Sequence, residues 1–293
     1  MNMVINRRKE SLVALGMLSV NLIGLVIFMV IPAIASIVIS FTNWNMMNTP
    51  SFIGLANYKE LISDDLFWKT LKNTAVYVFW KVPVNIFISL VFAVLLNRAM
   101  YGRGIFRAIF FLPMVASSVS VALLWLPLFE TSNGILNVML NAVGLKGLSW
   151  IYSQETAMMS VIMVALWKEI GYYMVMFLAG LQGIPTTYYE AAEIDGASPI
   201  HTFFKITVPL ISPVTFFVFI ISIIGSFQIF DLTTVLTAGG PANSTYTTLM
   251  YVYKAGFNFF RMGYASAIST ILFVIVLILT TIQNKLSEAW VNY

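Results

Sequence analysis

Residues 12–40 contain no charged side chain, and the run exceeds the roughly 20 residues a helix needs to cross a bilayer. It is too long for the apolar core of a secretory signal. Arg7, Arg8 and Lys9 stand directly before it, which reads as a first transmembrane helix with its N-terminus held inside; Pro32 is expected to kink it. Hydropathy places five more spans at about 73–97, 108–129, 156–181, 213–236 and 262–283. With 59% hydrophobic and 10% charged residues, the chain uses the membrane as its core. The expected fold is all-α, a single six-span domain over 1–293.

Arg98, Arg103 and Arg107 lie between the second and third spans with no acid among them, so that loop is expected inside. Alternation then places both termini and the loop 185–212 on the same side. The outer loop 41–71 is rich in Asn, Thr and aromatics, and Trp44 and Trp68 suit a membrane–water boundary. The net charge of +4 comes without a basic stripe interleaved with aromatics, so nucleic acid is not an expected partner. Absence of cysteine excludes disulfides and thiolate metal sites. His201, the one histidine, has no cluster of acids around it in sequence, so neither a metal site nor a catalytic triad is expected. No G-x-x-x-x-G-K-[ST] occurs, so any ATP hydrolysis must come from another chain. No catalytic residue and no cofactor is expected.

The loop 185–212 is polar, amphipathic and full of turn chemistry. Thr187 and Glu190 fit a capping box after Pro185, and Gly196 falls where a helix can end in the left-handed conformation. Ser198 and Pro199 restart a helix that carries Phe203, Phe204 and Ile206, with Pro209 and Pro213 expected to stop it. Two short helices projecting from a membrane domain form a shape suited to docking in the aqueous phase.

The spacing of Glu190, Ala191, Ala192, Asp195, Gly196, Ala197, Phe203, Ile206, Pro209 and Pro213 resembles the EAA loop of ATP-binding-cassette (ABC) importer permeases of the carbohydrate-uptake branch. FIGLANY at 52–58 resembles an external loop of sugar permeases. Residues 236–269 resemble their G-G-P…T…L…Y…F…G-Y-A-S-A signature, and physically read as an outer turn at Gly239-Gly240-Pro241 and an interfacial helix at 248–260. The resemblance implies a second homologous permease, a dimer of ATP-binding subunits and an extracytoplasmic solute-binding protein as partners, besides the bilayer. It implies that Glu190 meets a basic group on the ATPase while Asp195 and Gly196 shape the turn, the loop transmitting ATP-driven closure. By position it implies a solute path along Met114, Ser118, Glu169, Tyr172, Ser222 and Ser226. Ala165 and Ile229 are apolar where the maltose-type relative is polar, which speaks against maltose or its binding mode.

Four charges fall inside the spans: Lys81, Lys168, Glu169 and Asp231. Lys168 and Glu169 are expected to avoid lipid, and Lys81 and Asp231 to lie at similar depth and pair with each other. Glu169 either fixes helix packing or faces the path and accepts hydrogen bonds from solute hydroxyls. The implied function is the membrane half of an ABC importer for a sugar or oligosaccharide. Alternatives are a polyol or glycerol-phosphate-type solute, or an ion-coupled secondary transporter, against which the lack of an inverted repeat speaks.

Overall fold

The computed structural model describes residues 7–97, 101–288 and 291. Among them the chain is helix, turn or loop, apart from one isolated bridge between Thr42 and Phe52. Residues 1–6 lie outside the described residues, as does Arg98, part of the basic cluster expected inside between the second and third spans.

The chain divides into two units. The first comprises the chain up to Asp64 together with Val252–Ile271. It begins with α1 (Arg7–Leu25) and α2 (Ile31–Ile39), joined by a π turn at Val26–Val30. The irregularity expected at Pro32 takes that form: a proline ring leaves no N–H for the preceding turn, and a wider turn accommodates it. A short helix, α3 (Ala56–Ile62), follows. Within FIGLANY, Asn57 is buried and its Nδ2 donates to the carbonyls of Ser40 (2.8 Å) and Thr42 (2.9 Å). Gly263 lies so close to Thr42 that a Cβ there would come within 1.9 Å of its carbonyl oxygen. Arg261 pairs with Glu60 at 2.6 Å, and the Tyr264 hydroxyl donates to Asp64 at 2.5 Å.

The second unit comprises Asp65–Tyr251 and the chain from Leu272 on. Its centre is α4 (Asp65–Asn97) packed on α8 (Ala157–Gln182). Around them come α5 (Arg103–Val115), α6 (Ser118–Trp125), α7 (Ile135–Ala142), α9 (Thr187–Ile194), α10 (Pro199–Thr202), α11 (Val208–Leu210), α12 (Ser212–Phe227) and α13 (Asp231–Thr237). The predicted interfacial helix is α14 (Thr248–Tyr253) running into a π turn at Lys254–Asn258, and α15 (Met262–Ser287) begins in the first unit and continues into the second.

Among the described residues four helical segments are long and apolar enough to cross a membrane, or up to six if each of two bent pairs counts as one span. Helices α1 and α2, α8 and α15 lie over the stretches expected as the first, fourth and sixth spans. The second is longer than expected: α4 has 33 residues, about 50 Å of helix, and starts at Asp65. Its N-terminal part has a packing role, because Lys69 Nζ, in the extra turns, donates to Ala242 O (2.7 Å), and just after them Asn73 Nδ2 donates to Asn243 O (2.7 Å) and Tyr246 O (3.0 Å) and Thr74 Oγ1 accepts from Thr248 N (3.0 Å). These contacts hold the loop that follows the Gly-Gly-Pro turn.

The third and fifth predicted spans are not single helices. Within 108–129 the chain turns by 99°, since Ala116 and Ser117 are extended between α5 and α6. Within 213–236 the helix stops at Phe227 and restarts at Asp231. The Ile229 carbonyl released by that break accepts from the Thr247 hydroxyl at 3.1 Å, and the Phe230 carbonyl accepts from Thr233 and Thr234 at 2.9 and 2.7 Å. Hydropathy averaging cannot register either break, because apolar residues occupy both sides of it.

Glycine sets the approach of α5 to α8. A Cβ on Gly171 would lie 1.8 Å from the Phe110 carbonyl oxygen, which is backbone and cannot move aside locally. Gly171→Ala is therefore expected to lower the thermal stability of the detergent-purified protein by about 1–3 kcal/mol, the usual scale of an overpacked core. Gly225→Ala, where a Cβ meets nothing within 4 Å, is expected to leave the melting temperature unchanged or slightly raised.

Candidate functional site

Two features of the second unit concentrate polar chemistry. The first is the helical hairpin of α9 and the α10–α11 segment. It starts a residue earlier than the capping-box reading required. Tyr188 and Tyr189 already donate backbone bonds to Pro185 and Thr186, and Thr186 has helical dihedrals. Thr187 is thus inside the helix and the reciprocal side-chain cap does not form, because Pro185, with its preset φ, opens the turn itself. The other end is as expected. Gly196 has φ +70°, its N–H bonds Glu193 O at 3.1 Å, and the Ala197 N–H bonds Ala192 O at 2.9 Å. This is a Schellman closure, in which glycine carries the left-handed residue without a Cβ clash. Ser198 Oγ then accepts from the His201 N–H at 3.3 Å, with Pro199 in the first turn of α10.

Pro209 does not stop the second helix. A π turn at Phe203–Thr207 absorbs the proline, α11 carries on to Leu210, and the chain bends by 64° into α12. Pro213 lies in the first turn of α12, where its missing N–H costs nothing. Ala192 is buried and Tyr189 packs against the buried cluster that includes Leu181 and Ile184, its hydroxyl 3.3 Å from Thr207 Oγ1. Glu190, Ala191, Asp195 and Gly196 face outward and Ala197 is half-buried. Beside them Ile194 is 88% exposed, with Ile200 and Phe204 also exposed. An apolar display of that kind on a short, well-anchored hairpin marks a contact surface.

The second feature lies inside the helix bundle. Lys81 of α4 is 1% exposed, and its Nζ sits 2.5 Å from Glu169 Oε2 on α8. It also donates to Ser226 Oγ (3.1 Å) and lies 3.5 Å from Ser222 Oγ, both on α12, and it is 5.7 Å from the Tyr173 ring centroid. The three ammonium protons thus find partners on two further helices. Ser226 donates its own proton to Ser222 O at 2.5 Å, which turns its lone pairs toward the lysine. Glu169 is 24% exposed, so the cluster opens at that side chain.

Lys81 therefore pairs with Glu169, not with Asp231. The break between α12 and α13 explains the difference: Asp231 becomes the first residue of a new helix, exposed, with its carboxylate at the N-terminal end where the helix dipole favours it. Lys168 is half-buried. Of the six positions expected along a path, Glu169, Ser222 and Ser226 are brought together. Met114 and Ser118 flank the bend between α5 and α6, half-buried, and Tyr172 is half-buried with its ring 5.2 Å from that of Tyr173. Among the described residues these three take no part in the hydrogen bonds of the Lys81 cluster. Sequence reasoning missed Tyr77, Asn85 and Ser89, although the signal was present: with Lys81 they recur every four residues on one face of an apolar helix. Tyr77, Asn85 and Ser89 are all buried, and the Ser89 hydroxyl is 3.1 Å from both Asn85 Oδ1 and the Ile170 carbonyl.

The fold and these two features define a multi-pass helical membrane protein with a projecting helical hairpin and a polar centre. Residues 85–292 match the family described as binding-protein-dependent transport system inner membrane component. The chain is 38% identical to the probable ABC transporter permease protein YesP of Bacillus subtilis (strain 168), over 98% of this chain and 94% of that one. It is 34% identical to the arabinooligosaccharides transport system permease protein AraP of the same strain, covering 92% and 86% of the two chains. A chain from the crystal structure of a bacterial ABC transporter involved in the import of the acidic polysaccharide alginate superposes with a TM-score of 0.83 at 23% identity, covering 98% and 99% of the two chains. The chain belongs to the binding-protein-dependent inner membrane component family and is a permease of the ABC importer class. That membership sets aside the ion-coupled secondary transporter.

The cluster yields a double-mutant test. Lys81→Met leaves Glu169 in an apolar bundle without its counter-charge and is expected to cost about 3 kcal/mol of stability. Lys81→Met with Glu169→Gln removes both charges and is expected to recover most of that loss, read as melting temperature in detergent. Equal destabilisation by the single and double variants would remove the ion pair as the source of the effect.

Proposed function

We propose that this chain forms half of the translocation path for an uncharged sugar or oligosaccharide, in an importer powered by a separate ATPase. In this reading the whole chain acts as one transmembrane domain in a bacterial cell membrane. It pairs with a second homologous permease, rests on a dimer of ATP-binding-cassette subunits and receives solute from an extracytoplasmic binding protein. The hairpin and both termini face the cytoplasm, in keeping with Arg103 and Arg107 at the start of α5.

The observation that carries the coupling role is the hairpin itself. Its turn is closed by backbone bonds at Gly196 and Ala197, and its outer face offers Glu190 and Asp195 beside exposed Ile194, Ile200 and Phe204. A short, anchored helix pair transmits a rigid-body movement, and a charged and apolar face suits a protein partner. Saccharide as solute draws support from the arabinooligosaccharide relative and from the polar centre, where the lysine and glutamate charges cancel.

The test begins with a mild-detergent pull-down of the tagged chain from its native membrane. Recovery of an ATP-binding subunit and a second permease is expected, and reproducible recovery of the functional chain alone would overturn the assembly. Glu190→Lys and Gly196→Asp are each expected to leave the protein in the membrane and to reduce solute-stimulated ATP hydrolysis by the assembled complex to background. Normal hydrolysis by both variants would remove the docking role from this hairpin.

A further inference from the structure

The buried face of α4 holds more polar chemistry than helix packing uses. Tyr77, Lys81, Asn85 and Ser89 are spaced four residues apart, so they form one stripe about 18 Å long on a membrane-spanning helix. The three hydrogen-bonding neighbours of Lys81 have been described. Asn85 is different. It is fully buried, and although its Oδ1 meets the Ser89 hydroxyl, its Nδ2 has no hydrogen-bond partner among the described residues. A buried amide donor left unmade is destabilising, and a polar side chain at membrane depth is costly to begin with. Packing alone would be better served by leucine at that position.

The stripe faces α8 at the level of Glu169 and Ile170, through the Lys81 ion pair and the Ser89 contact. Glu169 is the side chain through which this cluster meets the outside. Donors (Lys81, Asn85) and acceptors or hydroxyls (Glu169, Ser89, Ser222, Ser226) alternate within a few ångströms, with the Tyr173 ring alongside. A polyhydroxylated solute needs that combination, because each hydroxyl both donates and accepts and each sugar ring has an apolar face. The net charge of the set is zero, so it offers nothing to favour an anion or a cation over a neutral molecule.

We infer that the Lys81–Asn85–Ser89 face of α4 lines the solute path and, with Glu169, forms a charge-neutral subsite for an uncharged polyhydroxylated solute. The inference rests on the permease reading above and adds α4 to a path that sequence reasoning placed only on the third to fifth spans. Lys81 is a positioning residue in this subsite: it holds Glu169 Oε2 and leaves the other carboxylate oxygen for the solute.

The chain has no cysteine, so a single introduced thiol reports on one position. In the assembled, membrane-reconstituted transporter, Asn85→Cys and Ser89→Cys are treated with small water-soluble methanethiosulfonates, one cationic and one anionic. Each is tested without nucleotide and with the ATPase trapped by ATP and vanadate, and labelling is read from the mass of this chain. Glu169→Cys marks the opening of the cluster. Labelling of the α4 thiols is expected in one state and at least about ten-fold slower in the other, with the two reagents within about three-fold of each other. Reactive Glu169→Cys with both α4 thiols inert in both states would overturn the α4 subsite and leave the importer reading intact. Inert thiols at all three positions would overturn both the subsite and Glu169 as a path residue. Labelling that strongly favours one reagent charge would overturn the neutral-solute assignment.

Discussion

A single ammonium group joins the three helices at the centre of the second unit. Lys81 on α4 reaches Glu169 on α8 and the two serines on α12, and nearly all of its surface is removed from solvent. A charge at that depth is tolerated only with a partner and with its remaining protons bonded, and here both conditions are met. The register of the three helices follows from this, since sliding one by a turn would separate the charges by about 5 Å. Gly171, two residues beyond Glu169, then lets α5 come close enough for backbone contact, so the charged centre and the tight helix approach share one turn of α8.

The irregular stretches obey a related constraint. Where a helix breaks, backbone groups lose their partners, and hydrocarbon supplies none. The Thr247 hydroxyl captures the Ile229 carbonyl released between α12 and α13, while π turns precede Pro32 and Pro209. The breaks are compensated features of the fold, and they decide which residues become helix ends. Asp231 is the clearest case, a mid-span charge by hydropathy that the structure turns into the start of a helix.

The hairpin is the part most legible from local chemistry. Gly196, Ser198 and Pro199 act within two or three residues of themselves, so their roles could be read directly and are those observed. Thr187 and Pro209 were misread for equally local reasons: Pro185 starts the turn before the threonine, and a π turn allows the helix to pass the second proline. The polar centre was legible only in part. Glu169, Ser222 and Ser226 were singled out through resemblance, and the structure brings them together. Lys81 was assigned the wrong partner, because depth in the membrane was the only coordinate available for matching charges on separate spans.

By itself the sequence determined that this chain is helical, that it lives in a bilayer and that a structured polar hairpin interrupts its apolar runs. Those properties depend on hydropathy, spacing and turn chemistry over short distances, all of which are additive along the chain. Only the tertiary structure decided which helices are broken, which carboxylate meets Lys81 and which face of α4 is polar and enclosed. The physical reason is that a buried charge or a freed carbonyl is satisfied by whatever group the packing brings within about 3 Å. For Lys81 the farthest such group, Ser226, sits 145 residues away along the chain.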